Sequence, residues 1–109
     1  MIRPKKILAP TDLSKLSLAA VRYALEMALE QNAEVIVYNV IGEDGEWFGK
    51  NEAGVPYILI VKKAEEENAD LIVMSTHGRT GIEQLMLGSV TAKVVARASC
   101  PVLSIRPKA

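Results

Sequence analysis

The residues best suited to chemistry lie in a glycine-punctuated stretch between a strand-like run, Leu71–Met74, and a helix-like run that begins near Ser89. Amide groups in the first turn of a helix have no partner inside the helix, and the helix dipole favours negative charge there. Ser89 is a candidate N-cap and offers a hydroxyl as well. This arrangement favours a phosphate site, and hence a nucleotide. The alternative is a plain tight connection whose glycines serve only the backbone.

Other common sites are not supported by the sequence. Ala9-Pro10-Thr11-Asp12 follows the first strand, where a dinucleotide-binding protein would carry Gly-x-Gly-x-x-Gly, and no Gly-Lys-Ser/Thr of the P-loop type is present. His77 is the single histidine, so neither a histidine metal cage nor a Ser-His-Asp triad can be built around it. It contacts either backbone and solvent or a phosphate, and the Arg79 guanidinium is either solvated or a bidentate phosphate ligand.

The elements that must position these residues alternate between strand and helix. Such alternation predicts an α/β fold with an open, doubly wound, mostly parallel sheet of the Rossmann-like kind, formed by one domain over residues 1–109. Its strands are expected to end in the same crevice, which would bring Asp12 close to Ser75. The predicted strands are Lys6–Ala9, Glu34–Val40, Leu71–Ser75 and Pro101–Ile105, and the predicted helices are Ser14–Gln31, Pro56–Asn68 and Ser89–Ala98.

Composition narrows the choice of partner and compartment. Thirteen basic residues balance thirteen acidic ones, so no nucleic-acid footprint is indicated. No apolar run is long enough to cross a membrane, and no signal-like segment is visible at the N-terminus. Cys100 is the only cysteine, so an internal disulfide cannot form. We therefore expect a cytoplasmic protein that binds neither nucleic acid nor a membrane.

The motif spacing resembles that of the universal stress protein family, whose ATP-binding motif reads Gly-x-x-Gly, nine residues, then Gly-Ser/Thr. Here Gly78 is followed by nine residues and then by Gly88-Ser89, and a small residue, Ser75, stands three positions before Gly78. The segments Lys6–Ser14, Ala69–Met74 and Ser99–Ile105 are also similar to the family. The resemblance covers most of the chain except its middle and implies the adenine-nucleotide alpha-hydrolase-like variant of the Rossmann-like fold.

The resemblance also implies a set of site residues. The aspartate matching Asp12 contacts the nucleoside, the backbone matching Val40 holds the adenine edge, and the loop ending at Ser89 cradles the phosphates. ATP is then the expected ligand, with Mg²⁺ on its phosphates. The candidate binding residues are Pro10, Thr11, Asp12, Val40, Ser75, His77, Gly78, Arg79, Gly88, Ser89, Val90 and Thr91.

Two departures from the family bear on function. Ser75 replaces the first glycine of the motif, and a side chain is a hindrance if that position needs a positive φ. The middle of the chain is also short. Only Ile41–Val55 lies between the second strand and the predicted helix Pro56–Asn68, which is too few residues for a further helix and strand. The sheet should therefore have four strands instead of the family's five. Val55–Val61 is interpreted as part of a helix, with a replacement edge strand as the rival interpretation.

Three functions are consistent with these features. The first is an ATP-binding regulatory or stress-response module that is not an efficient enzyme. The second is an interaction protein of the same fold that has lost the nucleotide. The third is a slow ATPase that uses Asp12 and Arg79. The resemblance also implies a homodimer formed through the last strand, Val102–Ile105, whose edge would otherwise be exposed.

Overall fold

A computed structural model describes residues 3–40, 54–76 and 84–106, with the side chains of 57–76 and 90–106 in the last two ranges. Strands and helices alternate along the chain, as the sequence predicts. The strands lie within about two residues of their expected bounds. In chain order, the elements are β1 (Lys6–Thr11), α1 (Lys15–Gln31), β2 (Glu34–Asn39), α2 (Gly54–Glu67), β3 (Leu71–Ser75), α3 (Gln84–Arg97) and β4 (Val102–Ile105).

The four strands form one sheet in the order β2-β1-β3-β4, and every pairing is parallel. This confirms the α/β fold with four strands. The two central strands are almost wholly buried, because apolar side chains cover both faces of the sheet. On one face Ile7, Ala9 and Val73 pack against α1. On the other face Leu8 and Ile72 pack against the apolar positions of α2 and α3, which are Ile60, Ala64, Val90 and Val94.

Two helices end in the same way. Asn32 after α1 and Asn68 after α2 both adopt a left-handed conformation, with φ of 56° and 55°. In each case the following alanine amide donates to a carbonyl five residues earlier: Ala33 to Ala28 and Ala69 to Ala64, both at 2.9 Å. Asparagine tolerates this conformation better than most residues do. Each helix is thereby stopped and turned into the next strand.

Asp70 joins the amino-terminal ends of β1 and β3. Its Oδ2 accepts hydrogen bonds from the amides of Lys5 at 2.9 Å and Lys6 at 3.0 Å. Its own amide donates to the Lys6 carbonyl at 2.8 Å. Asp70 belongs to the segment Ala69–Met74 that contributes to the family resemblance. It therefore has a structural role at the amino-terminal ends of the strands, opposite the candidate site at their carboxyl ends.

The structure confirms the predicted helix at residues 55–61 but not the predicted start of α3. Residues 55–61 belong to α2 and not to an edge strand, and Ile58 on that helix is half exposed. The predicted start of α3 at Ser89 is wrong, because α3 begins at Gln84. Gln84-Leu85-Met86-Leu87 are good helix formers, and their combined propensity outweighs the cost of Gly88 inside the helix. Within the described ranges, no helix is long and apolar enough to cross a membrane.

Candidate functional site

The carboxyl ends of three neighbouring strands bring the candidate residues together. Asp12 follows β1, Val40 follows β2 and Ser75 ends β3, and the strand order places β1 between the other two. Since β1, β2 and β3 are parallel, these ends lie on the same edge of the sheet. Ligands of open α/β folds bind at this edge. The structure therefore places the predicted nucleoside-binding residues on adjacent loops.

Asp12 carries an unsatisfied acceptor at this edge. The residue is only 1 % exposed, and its Oδ1 accepts a hydrogen bond from the Ser14 amide at 2.9 Å. Its other oxygen, Oδ2, is buried and has no hydrogen-bond partner among the residues that the structure describes. A buried carboxylate oxygen is costly unless a donor reaches it, so this oxygen is suited to accept a hydrogen bond.

The loop that carries Asp12 is held by a compact set of hydroxyl contacts. The Thr11 hydroxyl accepts from the Leu13 amide at 2.9 Å and lies 2.7 Å from the Ser17 hydroxyl. Because the Ser17 hydroxyl donates to the Ser14 carbonyl at 3.0 Å, the Thr11 hydroxyl is the donor to Ser17. Thr11 thus uses its hydroxyl to shape the loop, which makes it a positioning residue for Asp12.

Ser14 and Leu13 complete this loop. Ser14 is the N-cap of α1, and its hydroxyl accepts from the Ser17 amide at 3.2 Å. Leu13 has a φ of 66°, an unfavourable conformation for a residue with a Cβ, and its side chain is exposed. The positive φ of Leu13 has no sequence signal, because leucine does not ordinarily mark such a turn.

Pro10 and Val40 lie beside this loop and are both buried. Pro10 pairs with Tyr38 across β1 and β2. The Val40 amide donates to the Thr11 carbonyl at 2.9 Å. That amide is therefore occupied, and a contact of the Val40 backbone with adenine would have to use its carbonyl oxygen.

Ser75, Val90 and Thr91 form the junction between β3 and α3. The Thr91 hydroxyl donates to the Ser75 carbonyl at 3.1 Å, and both residues are buried. Val90 packs in the apolar core with Leu8 and Ile72. The side chains of Val90 and Thr91 thus hold α3 against the sheet. Ser75 is the last residue of β3, and its carbonyl accepts this bond from α3.

Of the remaining candidates for phosphate binding, the structure describes the backbone of Gly88 and Ser89. Gly88 and Ser89 lie in the second turn of α3, so Ser89 is not the N-cap that the sequence predicts. The first-turn amides of this helix belong instead to Gln84–Leu87. The candidates His77, Gly78 and Arg79 lie outside the described residues.

Comparison with known proteins identifies the family. A sequence model of the universal stress protein family matches residues 4–46 and 49–106, nearly the whole chain. The chain belongs to the universal stress protein family. Universal stress protein MJ0531 of Methanocaldococcus jannaschii is 35 % identical over 139 residues, covering 94 % of this chain and 82 % of that protein. This protein has 109 residues, so about thirty residues or more of that relative have no counterpart here.

Other relatives match a shorter part of this universal stress protein. Universal stress protein MJ0577 of the same archaeon is 44 % identical over 55 residues, half of this chain and 34 % of the relative. A universal stress protein of Thermus aquaticus is 51 % identical over 53 residues, 49 % of this chain and 39 % of the relative. Each of these two alignments covers little more than a third of the relative.

Solved structures agree with the fold. A structure of MJ0577 superposes with a TM-score of 0.77 at 27 % identity and covers 99 % of both chains. A universal stress protein solved in complex with cAMP has a TM-score of 0.74 at 26 % identity, covering 96 % of this chain and 98 % of the other. UspA of Lactobacillus plantarum has a TM-score of 0.78 at 24 % identity, covering 97 % of this chain and 100 % of the other, and supports the fold alone.

Two other chemistries find no support in the part of the chain that the structure describes. No group of three or more His, Cys, Asp or Glu side chains there is arranged to hold a metal ion. Partial burial, and secondarily the charge of Asp70, raise the pKa of the Cys100 thiol above its ordinary value. A raised pKa leaves less thiolate at neutral pH, which makes this cysteine a poor nucleophile.

Proposed function

We propose that this universal stress protein is an ATP-binding regulatory module of the stress response, with the nucleotide held across the carboxyl ends of β1, β2 and β3. The nucleoside lies against Asp12 and the β2 end at Val40. The phosphates extend toward the segment from Ser75 to Ser89, where Gly78 and the amino-terminal part of α3 supply backbone donors.

The single observation that carries this proposal is the unpartnered Oδ2 of Asp12. It is a buried acceptor at the ligand-binding edge of the sheet, and a nucleoside supplies the missing donors through its ribose hydroxyls or its amino group. The Ser14 amide holds the other oxygen of the same carboxylate, and the hydroxyl contacts of Thr11 hold the loop around it, before any ligand arrives. A preorganised acceptor costs little to order on binding.

Family membership supports a nucleotide as the ligand, and the relative solved with cAMP supports an adenine nucleotide in particular. Mg²⁺ would enter with ATP, bound to the phosphates, since magnesium commonly reaches proteins through substrate phosphates. When bound it would neutralise phosphate charge. Arg79 is the side chain of this loop best suited to share that task. We propose a cytoplasmic location, where ATP is abundant.

Two alternative functions differ from this proposal: in one the protein does not bind a nucleotide, and in the other it hydrolyses ATP. An interaction protein that has lost the nucleotide would explain Ser75 in place of the motif glycine. A slow ATPase would need Asp12 or Arg79 to act on the phosphates. We prefer a regulatory ligand over turnover, because Asp12 is positioned as a buried acceptor beside α1 and uses its Oδ1 to hold the Ser14 amide.

Isothermal titration calorimetry with MgATP tests this proposal on the wild-type protein and on Asp12→Ala. The matched control is Ser14→Ala, which alters the same loop but leaves the Asp12 carboxylate in place. We expect binding by the wild type and by Ser14→Ala, and affinity weakened at least about tenfold in Asp12→Ala. Equal affinity of Asp12→Ala and the wild type would contradict the proposed site. ATP hydrolysis well above a protein-free control and lost in Asp12→Asn would favour the slow ATPase.

The homodimer through β4 also remains a proposal. Strand β4 is an edge of the described sheet, and Val102, Leu103 and Ile105 in it are only partly buried. Antiparallel pairing with β4 of a second copy would cover that edge. Sedimentation of the protein as a monomer at micromolar concentration would contradict this assembly.

A further inference from the structure

The other edge of the described sheet, β2, offers a second pairing surface. The Glu34 amide donates to the Lys5 carbonyl at 2.8 Å, and the Val40 amide to the Thr11 carbonyl at 2.9 Å. Backbone groups alternate in direction along a strand, so the even-numbered residues of β2 face β1. The amides and carbonyls of Val35 and Val37 consequently point away from the sheet.

The side chains at this edge are apolar and incompletely covered. Val37 is 50 % exposed, although its partner in β1, Ala9, is fully buried. Val35 packs toward α1, and Ile36 and Tyr38 pack toward α2 on the opposite face, yet all three are only partly buried. The middle of the edge carries no charged side chain. Exposed apolar edges of this kind are templates for strand pairing.

Helix α1 extends the apolar surface. Leu18, Leu25 and Leu29 are 44 %, 47 % and 84 % exposed. They share a flank about 100° around the helix from the centre of its buried face. In a right-handed β1-α1-β2 crossover this flank faces β2. The exposed residue Val37 of β2 and the exposed leucines of α1 therefore lie on the same side of the described structure.

The shortened middle of the chain explains why this side is open. The family match is interrupted between residues 46 and 49, shortly after β2. The archaeal relative has about thirty residues or more that are missing here, enough for the helix and strand of one βαβ unit. Among the strands that the structure describes, β2 is thus an edge strand.

We propose that β2 pairs in antiparallel fashion with β2 of a second copy of this protein, which joins the two sheets. Outward backbone groups must face each other, and several registers satisfy this condition. We choose the one in which Val35 of one copy pairs with Val37 of the other, because it brings Glu34 close to Lys63, which lies beside Tyr38. The two-fold axis then passes beside Ile36. This interface is isologous and is independent of the nucleotide and of any pairing through β4.

Charge complementarity favours a second copy in this register. Glu34 lies opposite Tyr38 of the second copy, and the Lys63 ammonium lies 5.6 Å from the centre of the Tyr38 ring. Residues that face each other across antiparallel strands are close enough for their side chains to interact. Each Glu34 carboxylate thereby reaches Lys63 of the second copy, which also lies 3.4 Å from Glu67 of its own helix. Two symmetry-related ion pairs result.

Disulfide trapping tests the register directly. Opposed residues in a non-hydrogen-bonded antiparallel pair have Cα atoms about 4.5 Å apart, which suits a disulfide. We expect Ile36→Cys in a Cys100→Ser background to form a covalent dimer under mild oxidation at micromolar concentration. Tyr23→Cys in the same background, on the opposite flank of α1, should remain largely monomeric on a non-reducing gel. Circular dichroism checks that both variants fold. A folded Ile36→Cys variant that gives no more covalent dimer than Tyr23→Cys would overturn the proposal.

A charge exchange tests the same interface without a covalent bond. Sedimentation equilibrium should show that Glu34→Lys and Lys63→Glu each raise the dissociation constant about tenfold, and that the double variant restores it. Glu30→Lys makes the same charge change on the outer face of α1 and should have no effect. Two results would contradict pairing through β2. One is a dissociation constant that neither single variant changes, and the other is a wild-type protein that does not associate at tens of micromolar.

Discussion

The Thr91 hydroxyl donates a hydrogen bond to the Ser75 main-chain carbonyl, and this buried contact joins α3 to the carboxyl end of β3. The sequence between these two elements includes Gly78 and Arg79, which are expected to reach the phosphates. The contact therefore holds the second turn of α3 against the end of β3. It also shows why a hydroxyl at position 91 is useful even if it never touches the ligand.

Thr91→Val is expected to lower the free energy of unfolding by about 1 kcal/mol, because it removes a buried hydrogen bond while keeping the shape of the side chain. Urea denaturation followed by circular dichroism measures this loss. Thr91→Ser retains the hydroxyl and should form the same bond. Nucleotide affinity should fall more in Thr91→Val than in Thr91→Ser, and equal behaviour of the two variants would show that the bond does not position the loop.

Asp12→Asn should separate stability from binding. The substitution removes a buried carboxylate whose Oδ2 has no partner, so the melting temperature of the ligand-free protein should stay the same or rise. Affinity for ATP should fall at least about tenfold, since the charged acceptor is lost. A fall in melting temperature without any change in affinity would instead assign Asp12 a purely structural role.

Leu13→Gly tests the conformation of the loop. Glycine adopts a φ of 66° without a steric penalty, so the variant should be about as stable as the wild type or up to about 1 kcal/mol more stable. Leu13→Val, with its branched Cβ, should be destabilised. The two urea midpoints give the comparison, and the opposite order would show that the exposed leucine side chain matters more than its backbone.

The Cys100 thiol should react slowly with iodoacetamide at neutral pH. Burial and the charge of Asp70 raise its pKa, so the pH midpoint of alkylation should lie above that of a free cysteine. The protein unfolded in urea provides the reference rate. Because the folded state holds this proton more tightly, the associated stabilisation is present below the unfolded pKa and is lost as pH rises through the folded one. Fast alkylation of the folded protein at pH 7 would contradict this assignment.

Much of the fold can be predicted from the sequence, because the local apolar patterns and capping residues favour the same elements as the packing does. The unbroken apolar run Leu71–Met74 predicts a strand buried on both faces, and Ser14 has the chemistry of an N-cap. The short segment after β2 predicts the loss of one strand, which the four-stranded sheet confirms.

The start of α3 is harder to predict because Gly88-Ser89 resembles a helix beginning, whereas the propensity of residues 84–87 decides the outcome. Two features of the site are not readable from the sequence at all. The φ of Leu13 and the unpartnered oxygen of Asp12 depend on how Thr11, Ser14 and Ser17 meet in three dimensions. No periodic pattern encodes that meeting, so only the structure identifies Asp12 Oδ2 as the acceptor in need of a donor.

A thermal shift with millimolar MgATP tests the central claim most directly, with Gly88→Ala and Gly88→Glu as a matched pair. Both substitutions replace a glycine within α3, so both should preserve or raise the ligand-free melting temperature. Ligand at about a hundred times its Kd adds roughly 2.7 kcal/mol, a shift of about ten degrees or more in a domain this small. We predict that shift in the wild type and its loss in Gly88→Glu, whose carboxylate repels the phosphates, with Gly88→Ala closer to the wild type. No shift in the wild type, or an equal shift in Gly88→Glu, would contradict a nucleotide site at this loop.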